Sequence, residues 1–239
     1  FSHLHLVKEM SKNEKINLNK GDFSPIQEAI KKDFSQIVEF LLTNDRVDLS
    51  VKDSNEDTLL HLASVSQKST SLHILLQNKN VYEQLKMANL DGNTPLHCAA
   101  EKSSPDFVAE FVEFLNSKDI KNINNLIDLN TKNADEKTPL HMASEKGSSK
   151  SVMLLLTLPN IDVNAKDNLK QTPLHLAAKK CSYDHMKELL NYQGIKVNSK
   201  DFNESTPLHI AMTNSTIKGL NLLLSHPDID VNAVNINNE

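Results

Sequence analysis

The chain has 239 residues, 38% hydrophobic and 5% aromatic with no Trp; an ordinary domain is about 45–50% apolar, so one large core is not expected. Twenty-six basic residues against 31 acidic give a formal net charge of −5, which excludes the positive excess that neutralises a phosphate backbone, so nucleic acid is not an expected partner. Two cysteines, Cys98 and Cys181, exclude a dense disulfide framework and suit a reducing compartment; no apolar run approaches the roughly 18 residues of a spanning helix, and histidines break up the start where a signal peptide needs an apolar stretch, so a soluble, cytoplasmic chain with no membrane partner is expected.

His5 to Met10, ahead of Ile16-Asn17-Leu18-Asn19, reads as the second helix of a hairpin without its first. From there one pattern returns. Ser24-Pro25-Ile26-Gln27-Glu28-Ala29 is its faintest copy, followed by Thr58-Leu59-Leu60-His61-Leu62-Ala63, Thr94-Pro95-Leu96-His97-Cys98-Ala99, Thr138-Pro139-Leu140-His141-Met142-Ala143, Thr172-Pro173-Leu174-His175-Leu176-Ala177 and Thr206-Pro207-Leu208-His209-Ile210-Ala211. The interval between anchors is the same from Ser24 to Thr58, from Thr138 to Thr172 and from Thr172 to Thr206; it is slightly longer from Thr58 to Thr94 and longest from Thr94 to Thr138. A Leu pair follows most anchors at one fixed offset: Leu41-Leu42, Leu75-Leu76, Leu155-Leu156, Leu189-Leu190 and Leu223-Leu224. In the third copy the equivalent pair, Phe114-Leu115, arrives late. Three extra residues are thereby placed near Ser103 to Asp106, and the other seven in an Asn/Lys-rich polar loop, 116–125.

Each copy has a physical reading. Thr is a good N-cap, and Pro at the first helical position gives up an N–H that would be orphaned anyway, so a helix starts at each anchor. The Leu and the Ala three residues on, as in Leu174 and Ala177, share one helix face, where the small Ala lets a neighbouring helix approach. A second apolar run such as Val152 to Leu156 makes a helical hairpin, and an extended linker follows: Ile161-Asp162-Val163-Asn164, Ile195-Lys196-Val197-Asn198 and Ile229-Asp230-Val231-Asn232.

These units resemble ankyrin repeats, whose signature is a Thr-Pro-Leu-His-x-Ala helix start in a unit of about 33 residues. The resemblance covers essentially the whole chain and implies an all-α solenoid: stacked helix-turn-helix units with β-turn or hairpin fingers, elongated and right-handed. It divides 1–239, as a single array, into a partial repeat at 1–18, repeats near 19–52, 53–88, 89–132, 133–166, 167–200 and 201–234, and the start of another at 235–239. The chain thus begins and stops inside repeats, as an excised segment of a longer array, or an array with atypical caps, would. The family usually has Gly two residues before the Thr and nine after it; only Gly92 and Gly147 hold those places, with Glu56, Glu136, Lys170 and Glu204 in the first and Cys181 in the second. Looser turns and lower stability are expected.

Half of the ten histidines, His61, His97, His141, His175 and His209, form a column. Helices packed about 8–10 Å apart cannot bring such residues onto one zinc at roughly 2.0–2.3 Å. The resemblance implies that each bonds its capping Thr and the backbone of the adjacent finger. Cys98 is placed as a small core residue. No phosphate-binding Gly-rich loop, His-Glu-x-x-His or Gly-x-Ser-x-Gly is present, so no catalytic, metal or cofactor residue is assigned. Asn203-Glu204-Ser205 and Asn214-Ser215-Thr216 match the glycosylation pattern, which the reducing context argues against. Asn164 and Asn232 hold the linker position that an asparaginyl hydroxylase modifies in animal ankyrin repeats; an Asn stabilising its turn is the competing reading.

The resemblance implies a non-enzymatic, monomeric module that binds a partner protein through a concave groove and finger tips. Groove positions are Glu101 and Lys102, Glu145 and Lys146, Lys179 and Lys180, Val65 and Ser66, and Thr213 and Asn214. Lys179, Lys180 and Lys187 form a basic patch able to steer an acidic partner. Leu90, Leu169 and Phe202 put large apolar groups on fingers, where they either anchor a partner or cover the next finger. The alternative is a targeting or regulatory segment of a larger secreted effector or toxin. Arg46 is the only arginine, and the heavy use of Lys, Asn and Ile matches A/T-rich codons; that suggests an A/T-rich source such as an intracellular bacterium, a poxvirus or a protozoan, and for this alternative a bacterial effector or a poxvirus adaptor acting in the host-cell cytosol.

Overall fold

The structure, a computed structural model, describes residues 2–19, 24–117, 127–214 and 217–237. Their regular structure is helical. In chain order it comprises α1 (Ser2–Lys12), α2 (Pro25–Lys31), α3 (Ser35–Leu42), α4 (Leu59–Ser64), α5 (Thr70–Leu76), a 3-10 helix (Lys79–Lys86), α6 (Pro95–Glu101), α7 (Asp106–Asn116), α8 (Pro139–Glu145), α9 (Ser149–Leu156), α10 (Pro173–Lys179), α11 (Tyr183–Leu190), α12 (Pro207–Asn214) and α13 (Ile217–Leu224). The fingers are turns, with no strand among the described residues. No helix among them is long and apolar enough to cross a membrane.

The capping Thr explains the helix starts. Thr58, Thr138 and Thr172 have extended backbones, and each makes a reciprocal capping box with the His three residues on. The first helices α4, α6, α8 and α10 bury nearly every side chain, and Leu60, Leu96, Leu140, Leu174 and Leu208, with the Ala three residues on from each, all lie in the core. The first residue of each Leu pair, from Leu41 to Leu223, is fully buried.

The chain forms two compact units, Phe1–Ala99 with Glu113–Ile127, and Ala100–Val112 with Asp128–Glu239. In the first, α2 packs on α3 and α4, α3 on α5, and α1 on α3, while the 3-10 helix lies against α4 and α5. In the second, α8, α10 and α12 pack in a row, α9, α11 and α13 in another, and each hairpin joins the two.

Two expectations change. The turns carrying Glu56, Glu136, Lys170 and Glu204 are not loosened. Those residues adopt φ of 60°, 56°, 57° and 57°, beside 73° at Gly92, and the hydrogen bonds closing the fingers stay at 2.9–3.1 Å. Non-Gly residues hold the left-handed geometry at a strain of about 1–2 kcal/mol each, so the missing glycines are felt as energy rather than shape. Cys181 does the same at φ 59°. Gly147, in contrast, serves close approach: a Cβ there would lie 2.4 Å from the Ala100 carbonyl oxygen.

The third copy is stretched differently. Its connector, Lys102 to Pro105, is one residue longer than Lys146 to Ser148, and the remaining two of the three extra residues lie inside α7, which runs for 11 residues against 8 in α9. Asn116 ends that helix, and most of the expected loop, 118–125, lies outside the described residues. The 3-10 helix answers to no sequence expectation: the interval before Thr94 lacks the Val-Asn linker.

Candidate protein-binding face

The fingers are built by a residue that the anchor motif does not include. Five positions before each Thr stands an Asp or Asn whose Oδ1 accepts two backbone N–H groups of its own turn: Asp53 from Asn55 and Asp57, Asn89 from Asp91 and Asn93, Asn133 from Asp135 and Lys137, Asp167 from Leu169 and Gln171, Asp201 from Asn203 and Ser205. These Asx turns fix the tip. Burial raises the Asp167 pKa, and its Oδ2 is buried without a hydrogen-bond partner. The recurrence of Asp or Asn at one offset was the signal available in the sequence.

Tips are then tied to one another. In the first unit Leu90 N–H donates to the Asn55 carbonyl at 3.1 Å; in the second Asn168, Phe202 and Ile236 donate to Asp135, Leu169 and Asn203 at 2.9–3.1 Å. The five column histidines secure the base. Thr N–H donates to the His Nδ1 at 3.1–3.2 Å in all five copies. Nδ1 is therefore an acceptor and Nε2 carries the proton, which is donated to the Asn93, Gln171 and Ser205 carbonyls by His61, His141 and His175. Only a neutral imidazole does both. Burial pushes the pKa of His141 and of His175 down to about 4, and lowers that of His61. The expected structural role holds for these three at both ring nitrogens.

The linker asparagines bridge onward rather than closing their own turns. Asn164 Nδ2 donates to the Gly194 carbonyl at 2.9 Å and its Oδ1 accepts from Lys196 N–H at 2.8 Å. Asn19, Asn130 and Asn198 do the same to the linker that follows. Asn232 is exposed. Cys98 is buried, as placed, and Cys181 half-buried. Of the two glycosylation patterns, Asn203 to Ser205 forms a finger tip, and Ser215-Thr216 lie outside the described residues.

The apolar candidates stand in solvent. Leu90, Leu169 and Phe202 are 66%, 52% and 67% exposed, and the Lys170 ammonium lies 5.7 Å from the Phe202 ring. The charged candidates are largely committed to contacts within the fold. Lys146 bonds Glu101 at 2.7 Å, a bond that raises the Lys146 pKa, and Lys137 bonds Glu145 at 2.6 Å. Lys102 lies over the Phe107 ring, and Lys180 Nζ donates to the Gly147 carbonyl, with burial lowering its pKa. The expected basic patch is thereby reduced: of Lys179, Lys180 and Lys187, the second is spent on the fold. Val65 and Thr213 are exposed, whereas Ser66 is buried, its hydroxyl donating to the Ala63 and Lys68 carbonyls.

Family comparison agrees with this architecture. A model described as ankyrin repeats (3 copies) matches residues 45–124, 71–167, 112–201 and 158–235. Among solved structures, the ankyrin repeat domain of Bcl-3, a member of the IkappaB protein family, is similar in fold, with a TM-score of 0.73 and 24% identity over 92% of each chain. Ankyrin repeats generally mediate protein–protein interaction. The chain belongs to the ankyrin-repeat family.

Proposed function

We propose that the chain is a non-enzymatic, monomeric protein-binding module, and that its partner docks on the finger tips and on the adjoining ends of the first helices. The observation that carries this reading is the exposure of Leu169 and Phe202 on two fingers joined backbone to backbone. Side chains of that size lie in solvent on a rigid support that the fold does not need them to complete. Exposed aromatic anchors on pre-organised elements are what binding hot spots favour. Leu90 offers the same in the first unit. Glu101, Lys102, Glu145, Lys146, Lys179 and Lys180 form the polar surroundings, in which charge pairs set specificity and approach more than affinity. A reducing, cytoplasmic setting suits Cys98 and Cys181.

Phe202→Ala tests the reading. Truncation of an anchor weakens partner binding by about 1–3 kcal/mol, and truncation of a solvent-facing ring leaves the melting temperature nearly unchanged. Quantitative affinity capture with wild type and variant, alongside thermal melts, reads both. A variant that melts lower by that amount and keeps its partner makes Phe202 a packing residue and overturns the reading.

A further inference from the structure

The repeat that runs from Asp167 to Lys200 inverts the charge of its neighbours at two places. The first is two residues before the capping Thr. Glu56, Glu136 and Glu204 occupy it in other copies, each neutralised by a Lys four residues earlier: Lys52 at 2.6 Å, Lys132 at 3.0 Å and Lys200 at 3.3 Å. In this copy both places are lysine. Lys166 turns away to donate to the Lys200 carbonyl, and Lys170 is left against the Phe202 ring with no carboxylate partner among the described residues. The second place is seven residues after the Thr. Glu101 and Glu145 occupy it in the two preceding copies, paired with Lys146 and Lys137. Here it is Lys179, exposed and without an ion pair among the described residues.

In the preceding copy the second place is bonded to the residue that follows the first. The Lys137–Glu145 bond of the preceding copy joins the base of the finger to the end of the first helix, and Gln171 and Lys179 stand at the same two positions. Leu169 and Phe202 are the exposed tips of the same region. The neighbouring copies close these charges on themselves; here the Lys170 ammonium lies by the Phe202 ring, Lys179 stands exposed at the end of the first helix, and neither has an acidic partner among the described residues.

We infer that this repeat docks an acidic, apolar protein segment, whose carboxylates meet Lys170 and Lys179 while a large apolar side chain seats on Leu169 and Phe202. The inference rests on the binding-face reading above and names the partner's chemistry. A protein segment is favoured over nucleic acid by the surroundings. Glu136, Glu145 and Glu204 lie in the adjacent copies, and a polyanion with closely and evenly spaced phosphates would run onto them. A short segment with a few separated carboxylates does not.

Three labelled peptides of one Leu/Phe pattern, with Asp, Asn or Lys at the intervening positions, and a single-stranded oligothymidylate serve as probes for the full chain. Their affinities are read by fluorescence anisotropy for wild type, for Phe202→Ala, and for Lys170→Glu with Lys179→Glu, which restores the neighbours' charge pattern. The Asp peptide binds wild type at least tenfold tighter than the Asn peptide, the double variant loses that preference, and Lys187→Glu keeps it. Tighter binding of the Asn or Lys peptide, still sensitive to Phe202→Ala, overturns the acidic preference and leaves the binding face standing. Binding of no peptide, or binding indifferent to Phe202→Ala, overturns both. Oligothymidylate bound more tightly than the Asp peptide, and released by the double variant, overturns the inference in favour of nucleic acid. Unchanged melting of the double variant shows that its loss is not unfolding.

Discussion

The stretches from Thr138 to Thr206 and from Thr58 to Thr94 use the same anchor and are joined by different means. In the first, Asn164 reaches forward and holds the backbone of the following linker through both ends of its amide. The second has no such linker. A 3-10 helix takes its place, and from it Gln84 reaches back, donating to the Leu49 carbonyl at 2.7 Å and accepting from Leu60 N–H, one of the orphan donors that open α4. Both joints solve one problem: backbone groups brought beside a neighbouring segment must be paired or left at a cost. A primary amide suits because it donates and accepts at once. What the fold requires is the amide, and its position along the chain is free.

The largest way to strain this comparison is acid. His141 and His175 have pKa values of about 4 in the folded chain, against roughly 6.5 when unfolded. Above pH 6.5 the imidazoles are neutral in both states and nothing is lost. Between 6.5 and 4 the unfolded chain takes up protons that the buried rings refuse, so stability falls with pH, by on the order of 3 kcal/mol per histidine, and levels off below 4. Urea melts at pH 7 and 4.5 check this; equal stability at both would mean that the rings are not buried neutral acceptors.

Next in size are the shared core and the close approach beside it. Leu174→Ala and Leu60→Ala remove fully buried side chains, one in each unit, and each is expected to cost about 2–5 kcal/mol. Gly147→Ala forces a methyl against the Ala100 carbonyl oxygen and the Ala143 backbone and is expected to cost about 1–3 kcal/mol. A neutral Gly147→Ala would show that the second unit yields there.

The joints themselves give the smallest effects and the sharpest contrast. Gln84 is buried and Asn164 half-buried, so Gln84→Leu strands backbone partners away from water at about 1–3 kcal/mol, while Asn164→Leu costs about 1 kcal/mol because water reaches the freed groups. Chemical denaturation of both variants ranks them, and the reverse order would mean that the linker amide is the dominant clasp.

What the sequence disclosed follows from which chemistry is local. Thr172, Pro173 and His175 cap one helix within four residues, so the motif and its structural consequence are read together. The Leu pair and the Ala at the third position announce a core by spacing alone. Gln84 was invisible because its partners lie 24 and 35 residues away and no periodicity marks it. Glu56, Glu136, Lys170 and Glu204 misled in the opposite sense: their identity argued for a looser turn, but a finger clamped by an Asx side chain holds them at positive φ. At the proposed binding face the sequence pointed to the apolar tips and not to the ion pairs around them, since which Lys serves which Glu depends on register between copies. Glu101 and Lys146 are 45 residues apart and bonded.

Amide hydrogen exchange of the chain alone and in complex with its captured partner tests the central claim most directly. A partner seated on the fingers and first-helix ends slows exchange at residues 168–170, 202–204 and 177–180. The second-helix segments 183–190 and 217–224 remain as they are in the free chain. Protection confined to those second helices, with the fingers unchanged, would contradict the account.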